Sequence, residues 1–469
     1  MIAKRRRPAV ASSAAAADGP IARSPGIGAF LKSVQWTPSF IGLLIYVWVI
    51  HSFKLPIAAV AVVGAAIGLL LQSYPIKTAP FLNWFGAFVL WGLISLAWTD
   101  YPDTVWVRWQ DYAKIWIIAF VAVNAVRTTQ QRTLFIVWWL ACFALYPVRG
   151  TVFNFLFGYG EFGRYAWNFT FANFNDMAAL TLFPLAMSVA AFRADVPKFV
   201  RLSALAGIVV LPGIVLITQS RGGFLGMVVA IALLFPFLGR YKGRTLLIGG
   251  LAAVVSLSVV SDDFWDRLSM IPGLGSSEQT EVTDSSVEQR ALIWKVANAI
   301  IADHPVAGVG MGAYNRTHAV YAAQRSEWRF AAGPRDTHGM YHNILAELGI
   351  IGMLLFIGMI VAALMEAYGS IRDAKVNDPV RAWQVRALRA GLIGFLFTCI
   401  FASLQKVAFI YLFLAVMHHV ATSRTASNAV AGFARRGAAR VPGAPPPSPA
   451  PARPPAAAAV GRRFVRPGR

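Results

Sequence analysis

Apolar runs of about membrane-spanning length recur along the whole chain. A window of about 19 residues finds them near 39–53, 56–72, 80–98, 112–126, 133–148, 174–192, 200–218, 222–238, 245–260, 341–367, 388–404 and 407–421. One such run also suits a buried core helix, but so many in succession leave no room for a soluble reading. The pattern predicts an all-α polytopic membrane protein with about twelve transmembrane helices, a count that shifts by one or two with how Lys54 and Pro56 divide the first two runs. Helices 1–9 fall within 39–260 and helices 10–12 within 341–422. Between them, 261–340 is too long for a simple connection and is not low in complexity. It reads as one large, partly helical outer loop, with a helix over Val287 to Ala302 whose apolar face carries Leu292, Ile293, Ala297 and Ile301. A turn at Asp303-His304-Pro305 and a glycine-rich Gly308-Val309-Gly310-Met311-Gly312 follow.

Charge fixes the orientation. The 469 residues include 43 Lys+Arg against 21 Asp+Glu, a formal +22, although only 14% are charged and 57% are hydrophobic. A nucleic-acid binder would carry such charge on a polar surface; here it sits in short clusters between apolar runs, so no nucleic-acid partner is expected. Placing the N terminus inside puts Arg127 and Arg132, Arg193, Lys198 and Arg201, Arg240, Lys242 and Arg244, and Arg372 through Arg389 on the cytoplasmic face, as Lys and Arg accumulate there. Residues 1–38 then read as a cytoplasmic basic tail, since no apolar stretch follows Lys4 to Arg7 before Phe40. The Ala, Pro and Arg-rich segment 423–469 reads as a disordered cytoplasmic tail that rests on anionic membrane lipids. Both termini are expected in the cytoplasm. Cys142 and Cys399 each lie inside an apolar run and support neither a disulfide framework nor a cysteine metal site.

A few polar residues at the outer helix ends carry the candidate chemistry. Arg221 stands between two long apolar runs, where an arginine is costly and functional by default; it also suits an interfacial arginine that snorkels to headgroups. Gly222 and Gly223 directly after it let a ligand or a neighbouring helix come close. Arg290, on the loop helix, is taken alone a solvated side chain. In Thr337-His338-Gly339-Met340-Tyr341-His342-Asn343 two histidines stand four apart; with a helix beginning by His338 they share one face a turn apart. Paired imidazoles invite a metal, but neither an HExxH motif nor a carboxylate pair accompanies them, so no metal and no cofactor is expected. The other uses of such a histidine are acid/base work by a neutral imidazole and a packed helix entrance. Asn173, Asn175 and Asp176 open the sixth helix, as caps or as sugar or acceptor contacts.

Four blocks together resemble the O-antigen ligase and polymerase superfamily, which includes protein O-glycosylation ligases. They are Asn173-Phe174-Asn175-Asp176 opening a helix, Ser220-Arg221-Gly222-Gly223, Gln289-Arg290-Ala291-Leu292-Ile293-Trp294 leading to His304-Pro305 and Gly308-Val309-Gly310, and Thr337-His338 followed by Ala346-Glu347-Leu348-Gly349. The resemblance spans about 165–365. It implies a bacterial inner-membrane enzyme with a periplasmic loop, moving a glycan from an undecaprenyl-diphosphate carrier to a lipid, polysaccharide or protein acceptor, inverting and without metal or nucleotide. It further implies that Arg221 and Arg290 hold the diphosphate and that a loop histidine activates the acceptor, with Glu347 a possible sugar or acceptor contact. His338 has the family's offset to Glu347 and Gly349 and is preferred; the family's His-Asn dipeptide occurs at His342. The other reading is a multispan transporter or flippase for an anionic lipid-linked glycan, with Arg221 and Arg290 lining its path. That reading expects charges deep within several helices and near-symmetric halves, whereas the polar residues here gather in one loop and at helix ends.

Overall fold

The computed structural model describes residues 26–423 apart from 54–56, 73, 162, 195, 240–241 and 244–284. The expected span at 245–260, the first part of the long loop and both terminal stretches, 1–25 and 424–469, lie outside the described residues. Every other expected run coincides with a helix. In chain order the helices are α1 (Ile27–Ser33), α2 (Pro38–His51), α3 (Ile57–Leu70), α4 (Pro80–Ile94), α5 (Pro102–Ala125), α6 (Thr129–Phe143), α7 (Arg149–Leu156), α8 (Phe174–Phe192), α9 (Lys198–Ile217), α10 (Arg221–Leu234), α11 (Ser285–Asp303), α12 (Tyr314–Gln324), α13 (Met340–Asn377), α14 (Pro379–Thr398) and α15 (Ala408–Thr422). Among the described residues, five stretches have the length and composition to cross a membrane: Pro80–Ala97, Thr129–Leu156, Phe174–Phe192, Lys198–Ile217 and Met340–Ala374. Shorter apolar helices, Pro38–His51, Ile57–Leu70, Arg221–Phe237 and Ala408–Thr422, accompany them. The chain is an all-α membrane protein.

Helix ends depart from the apolar runs where polar residues and prolines set them. α5 starts at Pro102, well before its apolar run at 112, because proline suits the first helical position and Asp103 the first turn. This gives α5 a polar extension carrying Arg108 and Tyr112. α14 likewise starts early, at Pro379, where the Asp378 carboxylate accepts the Arg381 N–H at 3.0 Å. The segment between the apolar runs at 133–148 and 174–192 is helical as far as Leu156. A π-helical turn, Ala144–Val148, carries the chain past Pro147, and its wider winding accommodates a residue that lacks an amide proton.

α15 is the central helix. It is apolar all round as far as Met417, and from Phe409 to Met417 no side chain is more than 3% exposed, as expected of a stretch with no polar face. Phe85 of α4 stacks on Tyr411 at 3.9 Å and Phe183 of α8 on Phe413 at 4.4 Å. α9 is peripheral, with Leu202, Leu205 and Val209 exposed, which is where an apolar surface belongs when the solvent is lipid.

Two glycine-dependent contacts position the helices around the candidate site. α10 packs against α8 and α14 at backbone distance: a Cβ on Gly223 would stand 2.3 Å from the Ala178 Cβ, and one on Gly226 2.6 Å from the Gly394 carbonyl. The second device breaks α13. Gly349 takes φ 63 and ψ −164, and the segment 305–310 enters the gap and restores the lost hydrogen bonds. Ile350 N–H donates to Pro305 O at 2.9 Å, Val309 N–H to Ala346 O at 3.0 Å and Gly310 N–H to Glu347 O at 2.8 Å. Irregular backbone at membrane depth requires this kind of replacement partner. Trp91 Nε1 donates to Leu348 O and Trp98 Nε1 to Gly308 O, clamping the insertion against α4. The glycine-rich 308–312 and the Glu-x-Gly element are therefore two halves of one joint.

Candidate active site

Arg221 opens α10. Ser220 caps that helix by accepting the Gly223 N–H at 3.2 Å, and its hydroxyl donates to Asn175 Oδ1 at 2.8 Å. The same oxygen accepts from the Arg164 guanidinium at 3.1 Å, which also donates through Nε to Thr218 O at 3.2 Å and lies 4.6 Å over the Phe174 ring. Before the cap, Gln219 adopts a left-handed backbone, φ 50, and its side-chain amide donates to Gly163 O at 2.7 Å. The half-buried Arg221 thus stands on a helix start pinned by α8 and by the chain leading to it. Asn173 caps α8, its Oδ1 accepting from the N–H groups of Asn175 and Asp176. Asn175 ties the two helix starts together. Asp176 is half-buried, within electrostatic reach of Lys406 and Asp336.

The histidine arm is built differently. α13 begins at Met340 after an extended Gly339, so His338 lies outside it and the two histidines do not share one helical face; the paired arrangement expected from their spacing does not form. Side-chain and loop hydrogen bonds hold the arm in place of helical ones. Gly339 N–H donates to Ser403 Oγ at 3.1 Å, Met340 N–H to Cys399 O at 2.9 Å and His338 N–H to Asp336 Oδ1 at 3.3 Å. Asp336 Oδ2 pairs with Lys406 Nζ at 2.9 Å. His338 itself adopts φ 49, a left-handed conformation uncommon for a side chain of its size and a mark of functional sites.

α11 docks onto this arm. Trp294 Nε1 donates to Thr337 O at 2.8 Å, and its indole stacks on the His342 ring at 4.7 Å and 16°. Arg290, four residues earlier on the same helix face, is half-buried and close enough to His338 to act on its charge. Burial pushes the His338 imidazole below its ordinary proton affinity; Arg290, Lys406 and Arg335 push the same way, and Asp336 opposes them. These influences favour the neutral ring, which offers a basic nitrogen. For Asp336, burial favours the protonated form, but Lys406, a hydrogen bond from Ser403 and the nearby His338 outweigh it and hold the carboxyl below its usual range.

The two parts approach one another through Phe401. Its ring lies 3.3 Å from where a Cβ on Gly222 would stand and runs nearly parallel to Trp294 at 6.4 Å. Arg290 and His338 are thus brought together, Asp176 lies within electrostatic reach of the Asp336–Lys406 pair from α8, and the neighbour of Arg221, Gly222, borders the Phe401 ring from the α10 side. Glu347 is set back, buried in α13 and accepting from Asn343 Nδ2 at 2.9 Å. Among the described residues no three His, Cys, Asp or Glu side chains gather as a metal site. Sequence reasoning passed over Arg164, Asp336 and Lys406. Lys406 had a usable signal, since it interrupts two apolar runs just as Arg221 does; Asp336 adjoins the histidine motif; Arg164 lies in a loop with no distinguishing pattern.

No curated protein matches the chain. The family model described as O-antigen ligase matches residues 206–357, a stretch that contains Arg221, Arg290, His338, His342 and Glu347 but neither the Asn173 block nor Lys406. Over that stretch, within an all-α membrane fold, the chain is similar to the O-antigen ligase family.

Proposed function

We propose that the chain is an inner-membrane glycosyltransferase of the O-antigen ligase/polymerase type, moving a glycan from an undecaprenyl-diphosphate carrier to an acceptor hydroxyl on the periplasmic face. In this reading about twelve helices span the bilayer, both termini are cytoplasmic and 261–340 stands outside. The acceptor is a lipid core, a polysaccharide or a protein side chain. The observation that carries the reading is His338 beside Arg290 within a stretch that matches the O-antigen ligase family.

The chemistry follows from the side chains. Guanidinium groups stay protonated and grip phosphate oxygens in pairs, so Arg221 and Arg290 hold the donor diphosphate and stabilise the charge it gains as the glycosidic bond breaks. His338 takes the proton from the acceptor hydroxyl, whose oxygen attacks the anomeric carbon from the face opposite the diphosphate. A carbon–oxygen bond forms as the one to the carrier breaks, the configuration inverts, and the carrier leaves as polyprenyl diphosphate. His342, stacked on Trp294, aligns α11 with the arm. No nucleotide is consumed, because the glycosyl diphosphate bond supplies the driving force.

Proteoliposomes holding the purified full chain and a polyprenyl-diphosphate-linked glycan test this reading against transport. Release of polyprenyl diphosphate matched by glycan on an added acceptor, with EDTA present, is the expected result. Movement of the intact donor between leaflets with no release would overturn it in favour of a flippase.

A further inference from the structure

Beside the histidine arm lies a small polar cavity of about 30 Å³ that the reaction outlined above leaves unused. Arg108 and Tyr112 of α5, Asn315 of α12, and Asp336, Glu347 and Gln405 line it, with Lys406 at its mouth. The side chains at its base form a chain: Asn343 donates to Glu347 Oε1 at 2.9 Å and accepts from Gln405 Nε2. Gln405 is 2% exposed, yet its Oε1 has no hydrogen-bond partner among the described residues. A buried carbonyl left unpaired keeps its full desolvation cost, and a donor entering the cavity removes that penalty.

The lining identifies the visitor. Arg108 and Lys406 are matched by Asp336 and Glu347, so the lining has no positive excess for an anionic diphosphate, whereas carboxylates, amides, a phenol and cationic donors side by side are what a polyol recognises, each hydroxyl donating one hydrogen bond and accepting others. The volume exceeds what one water requires but is far too small for a sugar ring, so it takes a hydroxyl-bearing arm of one. Asp336 connects this cavity to the base: its Oδ2 faces Lys406 at the mouth while its Oδ1 accepts the His338 N–H. A molecule held here is therefore next to the residue that deprotonates the acceptor.

We propose that the cavity bounded by Arg108, Asp336, Glu347 and Gln405 is a subsite for a hydroxyl or hydroxymethyl group of a carbohydrate acceptor. The proposal rests on the glycosyltransferase reading and narrows it, since it makes the acceptor a glycan and not a peptide. Gln405 completes the acceptor's hydrogen bonds, and the Asp336–Lys406 pair sets the distance between this subsite and His338.

The test uses the purified full chain with a polyprenyl-diphosphate-linked glycan and two acceptors supplied separately, a core oligosaccharide and a serine-bearing peptide. Transfer to the oligosaccharide is expected, with Gln405→Leu raising its KM about tenfold, the equivalent of one lost hydrogen bond, while donor KM stays within about twofold. Asn315→Ala, on the exposed rim, provides a variant that folds if Gln405→Leu does not; it is expected to raise acceptor KM and leave donor KM alone. Transfer to the peptide only, or an unchanged acceptor KM in the folded variants, overturns the subsite. Wild-type protein that glycosylates neither acceptor sinks the glycosyltransferase reading and the subsite with it, an outcome distinct from peptide-only transfer.

Discussion

Arg221 and His338 are held in place by opposite means. Arg221 stands on a helix start packed at backbone distance, Gly223 against Ala178 and Gly226 against Gly394, with Asn175 and Arg164 locking the cap. His338 stands on non-helical backbone held by hydrogen bonds to Asp336 and, in the link between α14 and α15, to Ser403 and Cys399. Close packing tolerates no displacement, so it suits a group that only has to present charge. Hydrogen bonds and a neighbouring ion pair instead set both the position and the proton affinity of a group that must exchange a proton. The division predicts that damage at the α10 start shows first as lost stability and donor affinity, and damage at the arm as lost turnover or a displaced pH profile.

The largest expected effect is at the arm. His338→Ala is expected to lower kcat by about 10²- to 10⁴-fold, the usual contribution of a general base, with unfolding temperature in detergent little changed. His342→Ala keeps most of the turnover, because its ring packs on Trp294; the reverse order of losses would exchange the two assignments. At the α10 side, Gly226→Val forces a branched side chain into the Gly394 backbone and is expected to destabilise by about 1–3 kcal/mol, read as a lower Tm. Ser220→Ala removes the cap and the link to Asn175 and is expected to cost about 0.5–2 kcal/mol, with donor KM rising more than kcat falls. An unchanged Tm and donor KM in that variant would break the proposed contrast between the two regions.

The smallest effect is the most diagnostic. Because His338 must be neutral to act and its proton affinity is depressed, transfer falls on the acid side only below the ordinary histidine range. Removing the positive charge of Arg290 makes the imidazolium less unfavourable, so the His338 pKa rises. The acid limb of kcat in Arg290→Ala is therefore expected to move to higher pH, in addition to any loss of donor binding. A limb that stays in place or moves to lower pH would separate Arg290 from His338.

Much of this was legible in the sequence, for identifiable reasons. Apolar runs and caps locate the helices because lipid forces each backbone group to find its partner within the segment, and α11 was visible from the spacing of Leu292, Ile293 and Ala297. The polar extension of α5 was not, since Trp106, Arg108 and Asp111 break the apolar signal while leaving the helix intact. Gly308, Gly310 and Gly349 read as separate motifs along the chain, although they meet in one joint across α13. The His338–His342 spacing suggested a shared face because nothing local announces that Ser403 and Cys399, more than fifty residues later, hold the arm out of the helix. Long-range hydrogen bonds of this kind have no periodicity for a sequence to display.

The most direct measurement is glycan transfer by the purified full chain at neutral pH from a polyprenyl-diphosphate-linked donor, comparing wild type with Arg221→Lys and His338→Ala. Lysine keeps the charge of Arg221 and loses its paired grip on phosphate. The account predicts equal amounts of glycosylated acceptor and released polyprenyl diphosphate from the wild type. It also predicts a loss of at least about tenfold in both folded variants, with the Arg221→Lys loss concentrated in donor KM and the His338→Ala loss in kcat. Wild-type rates from either folded variant would contradict it.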